Sequence, residues 1–481
     1  MARIIVIGAG VAGLAAAARM ASGANDVTLI ERNSSPGGAL IWASPGTLTL
    51  PAVLRDLFVK TGGRKASTGG QLEDVVELRQ IDPVRTYRFP DGGSSLTLPN
   101  VARGASKDAF DAAFGAGAGD AWLRVVDHGN RAWSAVRSSL VEVPDAGRGD
   151  LWRLLRTSAT RRALAPRQTL RQVAAAAGVR DPRMMSVFDE YARAAGAAPE
   201  KTPAVLAIHI YIEQTFGAWR VVGGLSELAA AMYERCLKRG VTFRFDTEVT
   251  SLASGSVTCA DGETLAADVI VAAVDSHVLR RLTGGGKPTR ANLADYSASM
   301  FSVKLQVGRG STSTTERSKA ATATAIELPY ETVLLGDGVQ PTIRVQAAPE
   351  RPNEWIAFVD APLNGGGGSD DQFDWTAAGA KERHAEEIRA VVARRLALGD
   401  DALSVREIFT PADRERLTGA PGGSANGPAI DSLSSAILRS PTVQPVKGLL
   451  HVGGSSRPGP GIAFAALSAW NAAEVLRPTR V

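Results

Sequence analysis

Glycines with the spacing of a dinucleotide-binding turn lie near the start of the 481-residue chain. Gly8, Gly10 and Gly13 follow the apolar run at residues 4–7 and precede an alanine-rich stretch. In such a turn the first glycine permits a sharp bend, the second lets the backbone approach a pyrophosphate, and the third allows a helix to pack closely on a strand. Glu31 ends the next strand-like run, at a distance along the chain typical of the acid that binds a ribose. The unit predicts dinucleotide binding.

A second glycine-rich turn lies near the other end of the chain, at residues 453–461, between the apolar run 449–452 and another alanine-rich stretch. Gly37 and Gly38 add a glycine pair just past Glu31, which is common in flavoproteins and is not needed to bind nicotinamide. Because glycines let backbone lie against a ligand, we expect both ends of the chain to contact one long cofactor. Flavin adenine dinucleotide (FAD) is the natural candidate. The chain has no second complete GxGxxG fingerprint, which argues against a separate nicotinamide site.

Composition indicates a folded enzyme of two or three domains, with 44% apolar and 21% charged residues. The net charge of +5 is modest, and no nucleic-acid-binding motif is present, so no nucleic-acid partner is expected. Cys236 and Cys259 form no CxxC pattern and are predicted to be core thiols, as expected in a reduced, cytoplasmic setting. The five histidines are scattered, so no metal site is expected. No apolar run reaches membrane-spanning length, and the first is interrupted by the glycine turn, unlike a signal peptide.

The pattern along the chain predicts an α/β fold that leaves its cofactor domain twice. Residues 106–215 are mostly helical, and residues 221–274 return to a strand–helix pattern that includes a helix at 225–239. Residues 297–361 alternate apolar and polar side chains, as in a mixed or antiparallel sheet, and a helix follows at 376–398. We therefore expect a Rossmann-type, glutathione-reductase-like FAD-binding domain with an inserted α+β substrate domain that carries a mixed sheet and a helical segment. The predicted divisions are FAD-binding parts at 1–105, 216–290 and 401–481, a helical substrate or membrane-facing segment at 106–215, and a substrate-domain sheet and helix at 291–400.

One segment is unusually basic. Residues 151–172 contain six arginines and no acid, and Trp122, Trp133 and Trp152 lie within or shortly before them. Arginine stems and tryptophan rings are suited to a membrane interface, so one interpretation is peripheral contact with the inner face of the cell membrane. The other is a solvated helix face whose tryptophans lie in the core.

Five motifs together resemble the bacterial carotenoid (phytoene) desaturase family almost from end to end. They are GAGVAGL and ERNSSPGG near the start, ELRQIDPVRTYRFPDG, the block that begins GAWRVVGGLSEL, and the terminal GLLHVGGSSRPGPGIAFAALSA. The wider superfamily includes monoamine oxidases and protoporphyrinogen oxidases. The resemblance implies non-covalent FAD, a polyisoprenoid or other apolar substrate, and removal or rearrangement of hydrogens at unactivated carbon.

The resemblance also implies roles for individual residues. Gly8, Gly10 and Gly13 would line the pyrophosphate, Glu31 would bind the ribose, and the backbone at Val249 would meet the adenine. Arg32 is either a contact near the adenine or a surface charge. The further residues expected at the pyrophosphate, ribitol and isoalloxazine are Val11, Ala12, Gly37, Gly38, Ala39, Leu40, Gly453, Gly454, Gly461, Ile462 and Ala463.

Two positions depart from the family pattern. Trp42 stands in the segment where the family usually has an acid and a glycine, and Arg457 replaces the usual histidine before Pro-Gly. Trp42 either shapes the pocket or belongs to the core. Arg457 either attracts an acidic or oxygenated substrate or pairs with a carboxylate. His209, in an apolar run, either lines the substrate cavity as an acid or base or is a satisfied core histidine. These three residues are the catalytic candidates, and none is fixed by the sequence.

The sequence thus predicts an FAD-dependent oxidoreductase that desaturates or otherwise oxidises an apolar, isoprenoid-like or carotenoid-like compound by hydride transfer to flavin N5. Two alternatives stay open: an amine oxidase or protoporphyrinogen oxidase on the same scaffold, and a flavin-binding protein without turnover. The electron acceptor, oxygen or quinone, is left open.

Overall fold

A computed structural model describes residues 1–23, 25–41, 46–62, 70–284, 293–308, 328–365 and 372–476. The strands are β1 (Arg3–Ile7), β2 (Asp26–Ile30), β3 (Thr47–Leu48), β4 (Leu78–Gln80), β5 (Arg85–Arg88), β6 (Ser95–Leu98), β7 (Trp219–Val221), β8 (Thr242–Arg244), β9 (Val249–Ala253), β10 (Ser256–Cys259), β11 (Thr264–Ala266), β12 (Val269–Ala272), β13 (Ser299–Val307), β14 (Glu331–Leu334), β15 (Ile343–Ala347), β16 (Glu354–Ala361), β17 (Leu363–Asn364), β18 (Gln372–Phe373), β19 (Leu403–Phe409) and β20 (Leu449–His451). The helices are α1 (Val11–Ala21), α2 (Pro51–Thr61), α3 (Arg103–Phe114), α4 (Ala118–Val136), α5 (Arg148–Leu154), α6 (Ser158–Leu164), α7 (Leu170–Ala176), α8 (Pro182–Ala194), α9 (Ala207–Phe216), α10 (Leu225–Lys238), α11 (Ser276–Leu282), α12 (Ala380–Arg395), α13 (Pro411–Thr418), α14 (Leu433–Ile437) and α15 (Ile462–Val475).

The first sheet is parallel and combines strands from the beginning, middle and end of the chain. Its order is β20-β12-β1-β2-β8, and β1 pairs with β2 and β12 over its length. Its short, Ile- and Val-rich strands are buried on both faces, as expected for a parallel sheet covered by helices. Helices α1, α10 and α15 pack together against it. The predicted Rossmann-type arrangement is confirmed, and it places both glycine-rich turns at the carboxyl ends of parallel strands, β1 and β20, which β12 separates.

The second large sheet is mixed and has seven strands, in the order β19-β13-β16-β15-β14-β5-β6. All its pairs are antiparallel except β14 with β5. Strand β13 carries the alternating apolar residues Phe301, Val303, Leu305 and Val307, and these side chains form a core with α12. The predicted mixed sheet is confirmed.

Helices α3 to α9 form a helical layer beside the mixed sheet. Trp122 is fully buried in it and stacks on Phe110 with ring centroids 4.3 Å apart. Trp133 is also buried, so these two tryptophans belong to the core. Trp152 on α5 differs, because 67% of it is exposed. Among the residues that the structure describes, no helix is long and apolar enough to cross a bilayer.

Candidate cofactor and substrate cavity

A cavity of about 570 Å³ extends from the parallel sheet to the mixed sheet and the helices α8 and α9. Every residue predicted to bind the cofactor lines it, with the exception of Gly13. The cavity therefore joins residues from the two ends of the chain, from Val249 in the middle, and from the inserted segments. Cys236 and Cys259 are buried away from it, as expected of core thiols.

The first glycine turn is built for close approach of backbone. A Cβ atom at Gly13 would lie 1.8 Å from the carbonyl oxygen of Gly8, so Gly13 packs α1 on β1 and does not face the cavity. Gly10 borders the cavity, and a Cβ atom there would meet nothing within 4 Å. The first helical bond of α1 joins Leu14 N to Gly10 O, which leaves the earlier N–H groups without a partner inside the helix. No acidic residue lies in this first turn, so it suits an anion such as a pyrophosphate.

Glu31 is buried and connects the turn to the end of β2. Its Oε2 accepts a hydrogen bond of 2.7 Å from the backbone N–H of Ala9, and its Oε1 accepts two from Asn33, at 2.9 and 2.7 Å. A carboxylate oxygen accepts two hydrogen bonds, and Ala9 donates the single one found at Oε2 among the described residues. That oxygen retains the capacity to accept a ribose hydroxyl.

The loop after β2 lies on the glycine turn. Gly37 N donates to Ala9 O at 2.8 Å, and a Cβ atom at Gly38 would lie 3.3 Å from the Cα of Gly10. Arg32 lines the cavity, and its Nη2 donates to the carbonyl oxygen of Arg416 on α13 at 2.6 Å. Arg32 therefore holds α13 against this loop and is not a free surface charge.

The second glycine turn continues from β20 to α15. Gly453 has a φ of +117°, which favours glycine, and its N–H donates to Ser468 Oγ on α15 at 2.8 Å. Gly461, with a φ of +109°, caps α15, whose first turn also carries no acid. Ile462 and Ala463 follow and face the cavity. The start of α15 is thus the counterpart, from the far end of the chain, of the start of α1.

His451 holds this turn in place. The Val274 carbonyl can only accept, so His451 Nε2 donates to it at 2.9 Å, and Nδ1 accepts from Ser440 Oγ at 2.8 Å. Burial lowers the pKa of His451, which is consistent with this neutral form.

Apolar side chains form a further part of the cavity wall. Leu48, Leu50, Ile212 and Phe464 contribute to it. His209 also lies there, with its ring edge against Phe464 at a centroid distance of 6.0 Å. Desolvation lowers the pKa of His209 to about 4, so the ring is neutral at physiological pH. His209 lines the cavity rather than a separate core.

The other catalytic candidates are placed differently. Arg457 is buried outside the cavity, and its Nε donates to the carbonyl oxygen of Arg439 at 3.1 Å. Burial lowers the pKa of Arg457, and the Asp150 carboxylate acts in the opposite direction. Arg439 in turn donates from Nη2 to Asn426 O at 2.7 Å, and Asn426 borders the cavity. Trp42 lies outside the described residues.

Sequence reasoning missed a group of buried charged residues on the mixed-sheet side of the cavity. They are Arg85 on β5, Glu190 on α8, Glu213 on α9, Glu331 on β14 and Arg344 on β15. The available signal was a charged residue within a short, mostly apolar segment, such as Glu331 at the start of ETVL and Arg344 in IRVQA.

Comparison with known proteins agrees with this architecture. Residues 75–307 match the family model of flavin containing amine oxidoreductase, and residues 3–65 match that of an FAD binding domain. The hydroxyneurosporene desaturase of Cereibacter sphaeroides is 29% identical over 98% of this chain and 97% of its own length. That of Rhodobacter capsulatus is 27% identical over 99% and 98%, and the lycopene-forming phytoene desaturase of a Paracoccus species is 26% identical over 98% and 96%.

The chain is thus similar to carotenoid desaturases over almost its whole length. It is an FAD-dependent oxidoreductase. Solved structures share the fold of this chain at low identity. An oxidoreductase from Methanosarcina mazei aligns with a TM-score of 0.60 at 14% identity, over 98% of this chain and all of that one. Putrescine oxidase bound to putrescine aligns with the same score and identity, over 98% of each chain.

Proposed function

We propose that this protein dehydrogenates an apolar, isoprenoid-type compound. The observation that carries the proposal is one cavity whose lining combines the glycine turns and Glu31 with the apolar side chains Leu48, Leu50, Ile212 and Phe464. A ligand in this cavity would contact both the cofactor and apolar side chains. The relatives named above are carotenoid desaturases, which supports a polyisoprenoid as the apolar ligand.

The lining of the cavity supports the proposal that FAD is held by the residues which the family resemblance implies. Gly8, Gly10, Val11 and Ala12 would hold the pyrophosphate at the start of α1, while Gly13 supports them from behind. Glu31 would accept the ribose hydroxyl, and Val249 and Arg32 would border the adenine. The remaining cavity-lining residues expected along the ribitol and isoalloxazine are Gly37, Gly38, Ala39, Leu40, Gly453, Gly454, Gly461, Ile462 and Ala463.

Bound FAD supplies an acceptor for a hydride at N5 of its ring system. The positive end of α15 favours negative charge near the start of that helix. The apolar wall positions the substrate and excludes water. We infer that neutral His209 shapes this wall with Phe464, and that Arg457 acts through Arg439 to hold the wall at Asn426.

We also propose that the domains divide as predicted from the sequence, with residues 106–215 and 291–400 inserted into the FAD-binding part. The sheets support this division in part, because β1, β12 and β20 lie in the parallel sheet and β13 to β16 in the mixed sheet. Strands β5, β6 and β19 fall within ranges given to the FAD-binding part but belong to the mixed sheet, because they pair with its strands. The substrate cavity would then lie between the two parts.

The basic helices α5 and α6 support peripheral membrane contact. Trp152 is exposed, and the guanidinium of Arg156 lies 5.4 Å from the centre of its ring. The inner sides of these helices, at Leu151 and Leu164, belong to the same apolar cluster as Ile208. A small apolar cavity of about 50 Å³, lined by Ile208 and its neighbours, shares three residues with the large one: His209, Pro460 and Phe464. We propose that a lipid-soluble substrate passes from the bilayer along this route.

Vesicle sedimentation tests the membrane contact. We expect the FAD-loaded protein to sediment with anionic phosphatidylglycerol vesicles, and Trp152→Ala to reduce the bound fraction several-fold. Leu237→Ala, which removes an exposed apolar side chain from α10 instead, is the control and should bind like the parent. Equal binding of the Trp152 variant would contradict the proposed surface.

Product analysis tests the reaction. The FAD-loaded protein is incubated in detergent with a quinone and, in separate reactions, with neurosporene, putrescine or protoporphyrinogen. Of these three compounds, we expect only neurosporene to react, and its product should have two hydrogens fewer than neurosporene. Oxidation of putrescine or protoporphyrinogen alone would favour the corresponding oxidase, and oxidation of none would favour a flavin-binding protein without turnover. Repeating the reaction in air without quinone, with hydrogen peroxide measured, distinguishes the two electron acceptors.

A further inference from the structure

Five charged side chains lie buried where the mixed sheet and the helices α8 and α9 border the cavity. Between 2% and 8% of each residue is exposed. They come from elements far apart in the chain, and all five line the cavity. Charged groups are costly to bury beside an apolar wall, so the way in which each is satisfied is informative.

In one half of this group both carboxylates are hydrogen-bonded. Arg85 Nη2 lies 2.5 Å from Glu213 Oε2, and the hydroxyl of Tyr191 donates to Glu213 Oε1. Glu331 Oε2 accepts hydrogen bonds from Gln346 Nε2 at 2.9 Å and Thr47 Oγ1 at 3.1 Å. Arg85 Nε lies 3.0 Å from Glu331 Oε1 as an ion pair and makes no hydrogen bond among the described residues.

The other half is left open. Arg344 Nη2 donates to Asp360 Oδ1 at 2.6 Å, but Arg344 Nε lies 3.5 Å from Glu190 Oε1. Glu190 Oε2 lies 3.9 Å from Arg193 Nη1. Both oxygens of Glu190 and the Nε of Arg344 are buried and have no hydrogen-bond partner among the described residues. Burial raises the pKa of Glu190 against the opposing effect of Arg344. Native proteins seldom leave such groups unpaired, so a partner is expected there.

The chemistry of that partner follows from the pair. Arg344 Nε only donates, whereas the Glu190 carboxyl offers acceptor oxygens. A ligand ammonium would satisfy Glu190 but would leave Arg344 Nε unpaired beside another cation. A ligand carboxylate would satisfy Arg344 but would meet Glu190. A hydroxyl group accepts from one and donates to the other.

We propose that Glu190 and Arg344 bind a hydroxyl group of an otherwise apolar substrate. The inference deepens the proposed function and rests on it for the apolar part of the ligand. The pair would make this protein selective for a hydroxylated polyisoprenoid over the corresponding hydrocarbon, because the hydrocarbon leaves the buried groups unpaired.

Equilibrium binding to the dithionite-reduced, FAD-loaded protein, whose flavin cannot accept a hydride, tests the proposal without turnover. Hydroxyneurosporene and neurosporene, each dispersed in the same detergent, are titrated while the protein's tryptophan fluorescence is followed. We expect the hydroxylated compound to bind at least about tenfold more tightly. Glu190→Leu and Arg344→Met should each reduce this ratio to about twofold or less, while Glu190→Gln, which keeps an acceptor and adds a donor, should retain most of it.

Asp189→Asn is the matched control, since Asp189 is the adjacent residue of α8, is buried, and pairs with Arg171 outside the cavity. This variant should keep the full ratio. The FAD content and melting temperature of each variant report whether it has folded, and the comparison of the two ligands on the parent protein needs no variant.

Equal affinity of the parent protein for both compounds would overturn the proposal, as would a full ratio in Glu190→Leu. Tight binding of putrescine that depends on Glu190 would also overturn it in favour of an amine. If neither carotenoid reduced the flavin of the oxidised protein, that result would count against the proposed function instead. The ratio of the two binding constants would still decide this inference.

Discussion

The two sides of the cavity are built in different ways. On the cofactor side, backbone atoms of short glycine turns border the cavity, and each turn belongs to one continuous segment, as at Gly8 and Gly453. On the substrate side, side chains border it, and they come from β5, α8, α9, β14 and β15. The first side depends on local conformation and the second on long-range pairing. We infer that the cofactor side can change little without loss of either the fold or FAD binding, whereas substrate preference can change through single side chains.

The largest expected effect separates packing from ligand contact within one turn. Gly13→Ala places a Cβ atom on the Gly8 carbonyl oxygen, so we expect a loss of about 4 kcal/mol or more in the free energy of unfolding of the apo-protein. Gly10→Ala has room within the protein and a φ of −76°, so it should fold normally and lose most of its FAD affinity. Urea unfolding and FAD titration measure the two effects.

Gly104→Ala on α3, where a Cβ atom also meets nothing, is the control and should keep both properties. If Gly10→Ala bound FAD like the parent, the pyrophosphate would not lie at this turn.

The next effect concerns the buried charges on the substrate side. Arg85→Met removes the cation between Glu213 and Glu331, and we expect the protein to lose about 3 kcal/mol of stability at pH 8. Burial already raises the pKa of Glu213. When folding raises the pKa of a carboxyl group, the protein loses stability as the pH rises above the pKa of that group in the unfolded chain. The stability difference between parent and variant should therefore be smaller at pH 5 than at pH 8. Urea unfolding of parent and variant at both pH values measures it, and an equal or larger deficit at pH 5 would contradict the assignment.

A smaller effect is expected at Glu31. Glu31→Ala leaves the N–H of Ala9 without its acceptor, so we expect a loss of about 2 kcal/mol in stability and a decrease of about tenfold in FAD affinity. Glu31→Gln keeps one carbonyl acceptor and should lose less of both. Calorimetric FAD titration shows whether Glu31 contacts FAD. If Glu31 had a purely structural role, the variants would be less stable, but their folded fraction would bind FAD with the affinity of the parent.

The smallest expected effect is at His209. Because folding lowers its pKa from 6.5 to about 4, the unfolded chain binds a proton more readily, and stability is lost as the pH falls below about 6.5. Between pH 7.5 and pH 5 the parent should lose about 2 kcal/mol more than His209→Gln. Urea unfolding at the two pH values measures this difference, and identical pH dependence of the two proteins would show that folding does not lower the pKa of His209.

The same comparison explains what could be predicted from sequence. The sequence predicted the glycine turn at Gly8, Gly10 and Gly13 and the position of Glu31, because the local conformation restricts the residue type at each of these positions. The parallel sheet and the mixed sheet were also predicted from strand patterns. The charged group was not, because it depends on pairing such as Thr332 with Thr86 and Val345, which brings Arg85, Glu331 and Arg344 together across the chain. Arg457 was correctly noticed as unusual, but its sequence position did not show that it lies outside the cavity.

The most direct test of the account is a single anaerobic titration of the FAD-loaded protein. The account predicts one FAD per chain and, on addition of detergent-dispersed neurosporene or hydroxyneurosporene, loss of the yellow oxidised absorption together with a carotenoid spectrum shifted to longer wavelength. A protein that binds no FAD, or a flavin that stays oxidised while the carotenoid is bound, would contradict it.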